Sequence, residues 1–476
     1  MKQRIGRRQF LRVTAGGSAM ALYLAACAGA PQQPAQPAGP AEQPAAEKPA
    51  EGAPAPAAEK ITLVRYASME KDHFPLFEAQ RNGFNKLYPN VTVEEAGVPW
   101  GEYIAKVRVL LNSGEVPDVF WFMRYGQWDP GIEAATYMKE EIIAPANEVL
   151  NIQESKHFEN IVEAGKVDGK LVGIPFEVFS NGVNWMYNLS ILERTGLTPL
   201  PQNPTWDELD AWYLEAQGKV ADDEFAMGPG SWEFWGTFMS ASADQPGFCG
   251  MVDVGNNKCI IDTDANAATI SKLAKFYKTH ILARGDAAPG HLDGMLGGKV
   301  LGAAMSTWAP TQMNQAPFQY TSHSAPRQTG VDPRIDGFTG VNWWCFGKES
   351  KHIKEASEFC LYCGAQEGLD FWVASGRFAP TFKYTVDDYV KFGQALNQIG
   401  NNESGFRAAM TTNFDVVPHL QVWPIPEKAY WGQVLTKLNE VLKPVVEGTT
   451  VEQAEIKTLL AQAQIEVQKV LDGESA

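Results

Sequence analysis

Residues Ile61 to Phe122 read ITLVRYASMEKDHFPLFEAQRNGFNKLYPNVTVEEAGVPWGEYIAKVRVLLNSGEVPDVFWF, and the periodicity of this stretch decides the fold class. Ile61 to Tyr66 alternates as a strand does, Phe74 to Leu87 repeats at helical spacing, and Val91 to Glu95 is a second strand ending near Pro99. Tyr103 to Leu111 returns to helical spacing before a third strand at Asp118-Val119-Phe120-Trp121-Phe122. Strands alternating with helices predict an α/β lobe whose ligands gather beyond the strand ends.

Upstream, Lys2, Arg4, Arg7, Arg8 and Arg12 precede a weakly apolar stretch, Val13 to Ala26, interrupted by Gly16 and Gly17. A spanning helix needs about 20 apolar residues, so residues 1–26 read as a signal peptide. Arg7-Arg8-Gln9-Phe10-Leu11 resembles a twin-arginine export address. Leu24-Ala25-Ala26-Cys27 resembles the bacterial lipobox, whose cysteine receives a diacylglyceryl group and becomes the new N-terminus. The alternative is a plain secretory signal cleaved near Ala28. From Pro31 to Glu59 the chain is Ala, Pro, Gln and Glu with almost no branched or aromatic residue. Such a segment buries too little apolar surface to offset its ordering entropy, so residues 27–59 are expected to form a disordered tether.

Lys and Arg number 40 against 56 Asp and Glu, a net charge of −16 that becomes −21 once the five leader cations are gone. An acidic body excludes nucleic acid and anionic lipid surfaces as partners and says nothing against neutral ligands. The mature length suffices for two lobes with separate cores. Of the 6 cysteines, Cys249 and Cys259 flank the turn residues Gly255-Asn256-Asn257, which predicts a hairpin with a disulfide in an exported protein. Cys345, Cys360 and Cys363 sit in apolar contexts and read as buried thiols. No second ligand pair accompanies Cys360 and Cys363, so no metal or cofactor is expected.

Several motifs occur in a telling order. They are Pro117-Asp118-Val119, Gly169-Lys170-Leu171-Val172-Gly173-Ile174-Pro175-Phe176, Tyr187-Asn188 and Pro204-Thr205-Trp206-Asp207-Glu208-Leu209. Gly298 to Met305 with Trp308, Lys351 to Gln366, and Gly376-Arg377-Phe378-Ala379-Pro380 follow. Together they resemble the family 1 extracellular solute-binding proteins, whose members bind maltose or glycerol phosphate, and the resemblance covers Ile61 to Leu471. It implies an α/β, two-lobed periplasmic-binding-protein fold with hinge crossings and a central cleft that closes on ligand. By position the N-lobe would take residues 60–176 and 337–378, and the C-lobe 177–336 and 379–476. The implied role is the monomeric solute-binding subunit of an ABC importer, anchored through Cys27 to the outer face of the cytoplasmic membrane, with no catalytic residue.

A sugar presents a C–H face that aromatic rings cover and a hydroxyl rim that polar groups satisfy. The resemblance places Trp121, Phe122 and Tyr125 on the N-lobe wall, and Trp232, Trp308, Tyr430 and Trp431 on the C-lobe wall. Trp235 lies in the same aromatic cluster as Trp232. Either Glu177 or Asn181 takes the place of the family's acidic contact, because the interval from Pro175 to Tyr187 is longer than the family pattern. Arg377 is suited to forked hydrogen bonds with hydroxyls, and one of Trp343 and Trp344 faces the cleft, since alternate strand residues point opposite ways.

Two other functions compete. An exported glycoside hydrolase would need two carboxyl groups about 5 to 9.5 Å apart. A binding protein for an anion such as a glycerol phosphate would want several cations converging, and only Arg124, Arg377 and Arg407 lie near candidate loops. No G-x-S-x-G, H-E-x-x-H or Walker A pattern occurs, and the 7 histidines are dispersed. Replacing Cys27 with Ser is expected to move the protein from the membrane fraction to the soluble one. Retention in the membrane would rule out lipidation at that residue.

Overall fold

The computed structural model describes residues 59–124, 134–152, 156–180, 184–228, 238, 241–242, 245–253, 255–281, 291–326, 336–365, 367–377, 379–395, 398–422 and 431–474. The chain divides into Met1–Ala57 and Ala58–Ala476, and the expectations for the leader, Cys27 and the tether lie outside the described residues. Among those residues no helix is long and apolar enough to cross a membrane.

The strands are β1 (Ile61–Ser68), β2 (Val91–Val98), β3 (Val119–Arg124), the small hairpin β4 (Lys166–Val167) and β5 (Lys170–Leu171), then β6 (Ile174–Ser180) and β7 (Asn184–Asn188). After β8 (Phe225–Met227) a second hairpin pairs β9 (Val252–Asp253) with β10 (Lys258–Cys259). β11 (Val300–Met305), β12 (Tyr320–Ser324), β13 (Asp336–Phe346), β14 (Ala379–Pro380) and β15 (Leu420–Val422) follow. The helices expected between the first strands are present as His73–Leu87 and Trp100–Ser113.

A large sheet runs in the order β14-β6-β13-β3-β1-β2, with β15 added to β13, and a smaller sheet runs β12-β7-β11-β8. β1 is parallel to β2 and β3, as strands joined by helical crossovers must be, whereas β13 is antiparallel to β3 and β6. The chain leaves the large sheet between β6 and β7 and returns between β12 and β13. Both expected lobe switches, at Phe176 and Phe378, need correction. β6 continues through Glu177 to Ser180 because its backbone groups pair with Asn342 and Val341 on one side and with Pro380 and Ala379 on the other. Residues 379–380 and 420–422 therefore belong to the large sheet.

The smaller sheet is covered on both faces. Met186, Val300, Ala303 and Met305 join the core shared with the large sheet, while Trp185, Tyr187, Leu301 and Ala304 join a separate core with the C-terminal helices. Along β7 the side chains alternate between the two cores, Trp185 and Tyr187 in one and Met186 in the other, because successive strand side chains point to opposite faces. The motif at Pro204 starts the helix Trp206–Gln217 as its residues imply. Glu208 N–H donates to Thr205 Oγ1 at 3.2 Å, and Thr205 N–H donates to a Glu208 carboxylate oxygen at 2.7 Å.

One charge lies deep in the large lobe. Arg65 on β1 is fully buried and stands opposite Glu95 on β2, to which it donates two hydrogen bonds of 2.7 and 2.8 Å. A third goes to Gln80 Oε1 at 2.7 Å, and its guanidinium lies 4.2 Å from the Phe77 ring centroid. The paired charge and filled donors make burial tolerable.

The expected disulfide is not formed: Cys249 and Cys259 are both buried thiols. The hairpin exists, but Cys259 stands opposite Val252, while Cys249 occupies the tight turn closed by Met251 N–H donating to Phe248 O. Cys345, Cys360 and Cys363 are buried as expected.

Trp343 and Trp344 are also corrected, because both are 0% exposed. β13 is an inner strand covered on both faces, so neither parity reaches a cleft. Trp344 stacks on Phe176 with centroids 4.7 Å apart, and the Trp343 ring fills the space beside Gly165, where an added Cβ would come within 2.1 Å of it. Trp343→Ala is expected to cost about 3–5 kcal/mol of stability in denaturant unfolding, the range for emptying a core tryptophan site. A loss under about 1 kcal/mol would return this ring to the surface.

Candidate functional site

Strands β1, β3 and β6 run in one direction, since β3 and β6 are each antiparallel to β13, and they bring their C-terminal ends to one region of the large lobe, where the turn after helix Glu367–Ala374 also arrives. At its centre is Glu177, fully buried on β6. One carboxyl oxygen accepts a hydrogen bond from Trp372 Nε1–H and the other from Asn342 Nδ2–H, its register partner on β13. Burial pushes this carboxyl up to about 8, against the opposing pull of Arg377 and the two hydrogen bonds. At neutral pH the group is therefore mainly protonated and uncharged.

His73 begins the helix after β1. Its Nδ1–H donates to Ser68 O at 2.7 Å, which leaves Nε2 as a bare acceptor, buried and without a partner. Burial first, then Arg377, lowers its pKa to about 3, so the ring is neutral. Beside it Asp72 forms an ion pair with Arg377, whose side chain is 13% exposed against 26% for the aspartate. Trp121, Trp372 and His73 enclose these polar groups, with ring centroids 5.5 Å apart from His73 to each indole.

The expected site residues separate into four sets. Trp121 and Phe122 are buried, at 2% and 3% exposure, and are corrected to core. β3 is an inner strand, and the Trp121 ring packs 5.4 Å from Phe176 and 6.1 Å from both Trp344 and Trp372. Trp343 is core as described. Glu177 and Arg377 do gather at one place, near enough for the guanidinium to act on the buried Glu177 carboxyl. Trp308 is half-buried at the end of β11, packed against the shared core, and its neighbour Thr307 donates to Val178 O on β6 at 3.1 Å. That bond ties the end of the smaller sheet to the same strand that carries Glu177. Tyr125, Asn181, Trp232 and Tyr430, and the Trp431 side chain, lie outside the described residues.

Asp72, His73, Trp372 and Asn342 were not found from the sequence. Asp72 stands in the first loop past a strand end, which is a usable signal; the other three depend on long-range packing. Trp100, 37% exposed at the start of the helix Trp100–Ser113, adds a ring to the rim, and its backbone N–H donates to a Glu70 carboxylate oxygen at 2.6 Å. Among the described residues no three His, Cys, Asp or Glu side chains gather as a metal site would need. The arrangement can offer an aromatic surface, a paired cation and neutral hydrogen-bonding groups.

A family model described as bacterial extracellular solute-binding protein matches residues 79–395. A protein of Brucella abortus (strain 2308), described only as a binding protein, is 24% identical over 166 residues, 33% of this chain. That match spans 36% of the relative, about a third of its length. Among solved structures, an ABC substrate-binding protein of Listeria monocytogenes in complex with cycloalternan superposes with a TM-score of 0.68 at 15% identity, covering 87% of this chain and 100% of that one. The GacH receptor of Streptomyces glaucescens, solved unliganded and with acarbose, gives 0.65 at 15% identity over 87% and 100%. The maltotriose-binding protein of Thermus thermophilus, bound with maltotriose, gives 0.61 at 16% over 86% and 99%. The two-lobed fold expected from the sequence is thereby shown.

The Glu177 proton has a consequence for stability. Its folded pKa lies above the ordinary carboxylate value, so its contribution is complete below that value and is lost as pH rises through about 8. Glu177→Gln is expected to flatten the fall in unfolding free energy between about pH 5 and pH 9. Parallel pH profiles for the two proteins in urea titrations would contradict this placement of the proton.

Proposed function

The chain belongs to the bacterial extracellular solute-binding proteins, and from that premise we propose that it captures a neutral carbohydrate between its lobes and delivers it to an ABC permease. Exported position follows from the family; anchoring through Cys27, a twin-arginine route and a monomeric state are parts of this proposal. The ligand class rests on one observation above others. Three structural neighbours from different bacteria carry cycloalternan, acarbose and maltotriose in their solved complexes. The described rim is compatible with such ligands, since Trp308 and Trp100 offer ring surface and Arg377 offers donors.

In this reading the protein has no enzymatic role. Glu177 holds its carboxyl inside the core, bonded to Trp372 and Asn342, where it could not protonate a glycosidic oxygen or attack a sugar carbon. Tyr125, Asn181, Trp232, Tyr430 and Trp431 remain proposed ligand contacts, and Trp308 is the described C-lobe candidate.

Tryptophan fluorescence titrated with a panel of neutral mono- and oligosaccharides is expected to give a saturable change for at least one sugar. Trp308→Ala should weaken binding of that sugar by roughly ten- to a hundredfold, about 1–3 kcal/mol of lost stacking and buried area. No response from any sugar would defeat the carbohydrate reading, and an unchanged affinity in the variant would remove Trp308 from the site.

A further inference from the structure

From Val300 to Pro326 the sequence contains no Asp, Glu, Lys or Arg, so whatever this stretch offers a solute is offered without charge. β11 ends within it at Met305, and Ser306 and Thr307 lead into the short helix Ala309–Met313. The backbone is already helical at Trp308 and still helical at Asn314. Ala309 and Met313 are buried in the shared core. Helical spacing puts Thr311 and Gln312, three and four residues on from Trp308, together with it on another side of the turn. Gln315, one turn further, is exposed, so this side looks outward.

Two oxygens on that side are enclosed. Thr311 is 8% exposed and Gln312 is half-buried, and among the described residues neither Thr311 Oγ1 nor Gln312 Oε1 has a hydrogen-bond partner. Folded chains ordinarily satisfy enclosed polar atoms, and an acceptor left open is destabilising. Asn314 Nδ2 and Asn402 Oδ1 also lack partners, but they are a donor and an acceptor and complement each other. Gln312 Oε1 has no such complement, since the Thr311 hydroxyl, one residue before it, does not face it.

The helix that carries the two groups is held at both ends. At its start Thr307 Oγ1 donates to Val178 O on β6, the strand from which the chain crosses between the sheets. At its end the Asn402 amide nitrogen lies 3.5 Å from the carbonyl oxygens of Met313, Asn314 and Ala316. Groups fixed in this way lose little freedom when a solute binds.

We propose that Gln312 and Thr311 are the hydroxyl-reading residues of the C-lobe wall. Gln312 Oε1 accepts a hydrogen bond from a hydroxyl of the solute that lies against Trp308, and the Thr311 hydroxyl bonds to a neighbouring one. The inference rests on the carbohydrate reading of the same site. The ring selects a C–H face, and the amide and hydroxyl select which free hydroxyls border it. A deoxy or O-methyl position would leave the Gln312 acceptor unmet.

The test compares the mature wild-type protein with Gln312→Met and Thr311→Val, which keep the side-chain shapes and remove the oxygens. Calorimetric titrations use glucose, galactose, maltose and maltotriose, with any further sugar that the fluorescence panel selects. The monodeoxy and mono-O-methyl derivatives of the tightest binder follow. Gln312→Met is expected to weaken that sugar roughly tenfold and Thr311→Val roughly threefold. At one hydroxyl position, deoxygenation should weaken the wild type by a similar factor and the Gln312→Met variant hardly at all, because the bond is already gone. Without sugar, both variants are expected to melt no lower than the wild type, since no bond inside the protein is lost. A sugar held equally tightly by all three proteins, or losses that add at every position, would overturn the proposal and leave the carbohydrate reading standing. Sugar-free melts lowered by several degrees in both variants would also overturn it, by showing that these oxygens are bonded within the fold. If no neutral sugar binds the wild type, the carbohydrate reading fails and takes this assignment with it.

Discussion

A carboxyl group inside an inner strand pair has to be kept uncharged or fully bonded, and the Glu177 carboxyl imposes that condition on everything around it. Its two oxygens take Trp372 and Asn342, which positions the helix Glu367–Ala374 over β6 and sets the register with β13. The backbone of the same strand is claimed from two other directions. Thr381 Oγ1 donates to Pro175 O at 2.9 Å, and Thr307 Oγ1 donates to Val178 O at 3.1 Å. One short strand thus joins the large sheet, the turn that carries Arg377 and the end of the smaller sheet. It is also the strand from which the chain crosses toward β7.

The abundance of tryptophan acquires a different meaning in this light. An α/β sheet covered on both faces can bury large rings on either side of its inner strands, and β3 and β13 supply Trp121, Trp343 and Trp344 for that purpose. Rings that remain partly open, Trp100 and Trp308, stand at helix starts just beyond strand ends. The position of a ring along its element decides whether it packs or binds, and composition alone does not distinguish the two.

Much of the fold was legible because it depends on local pattern. The strand at Ile61, the helix before Leu87, the capping box at Thr205 and Glu208, and the hairpin turn at Gly255 are encoded within a few residues of one another. The family resemblance carried the two-lobed architecture. What could not be read depends on contacts between distant segments. Parity along β13 assigned one of two tryptophans to a cleft, but the covering of both faces by helices removes both from it. Cys249 and Cys259 flank a turn, yet the extra reverse turn at Phe248 to Met251 offsets them. The pairing of Asp72 with Arg377 left no local trace, since an aspartate before a helix reads as a cap.

The central claim is that a neutral sugar is held between two lobes that close on it, so the conformational change matters more than affinity alone. A ligand that binds both lobes favours the closed arrangement by its differential affinity for the two states. Small-angle X-ray scattering of the mature protein, with and without a saturating sugar chosen by fluorescence titration, measures this directly. The account predicts a smaller radius of gyration in the bound protein, reversed when the sugar is removed. Saturation with an unchanged scattering curve would contradict it.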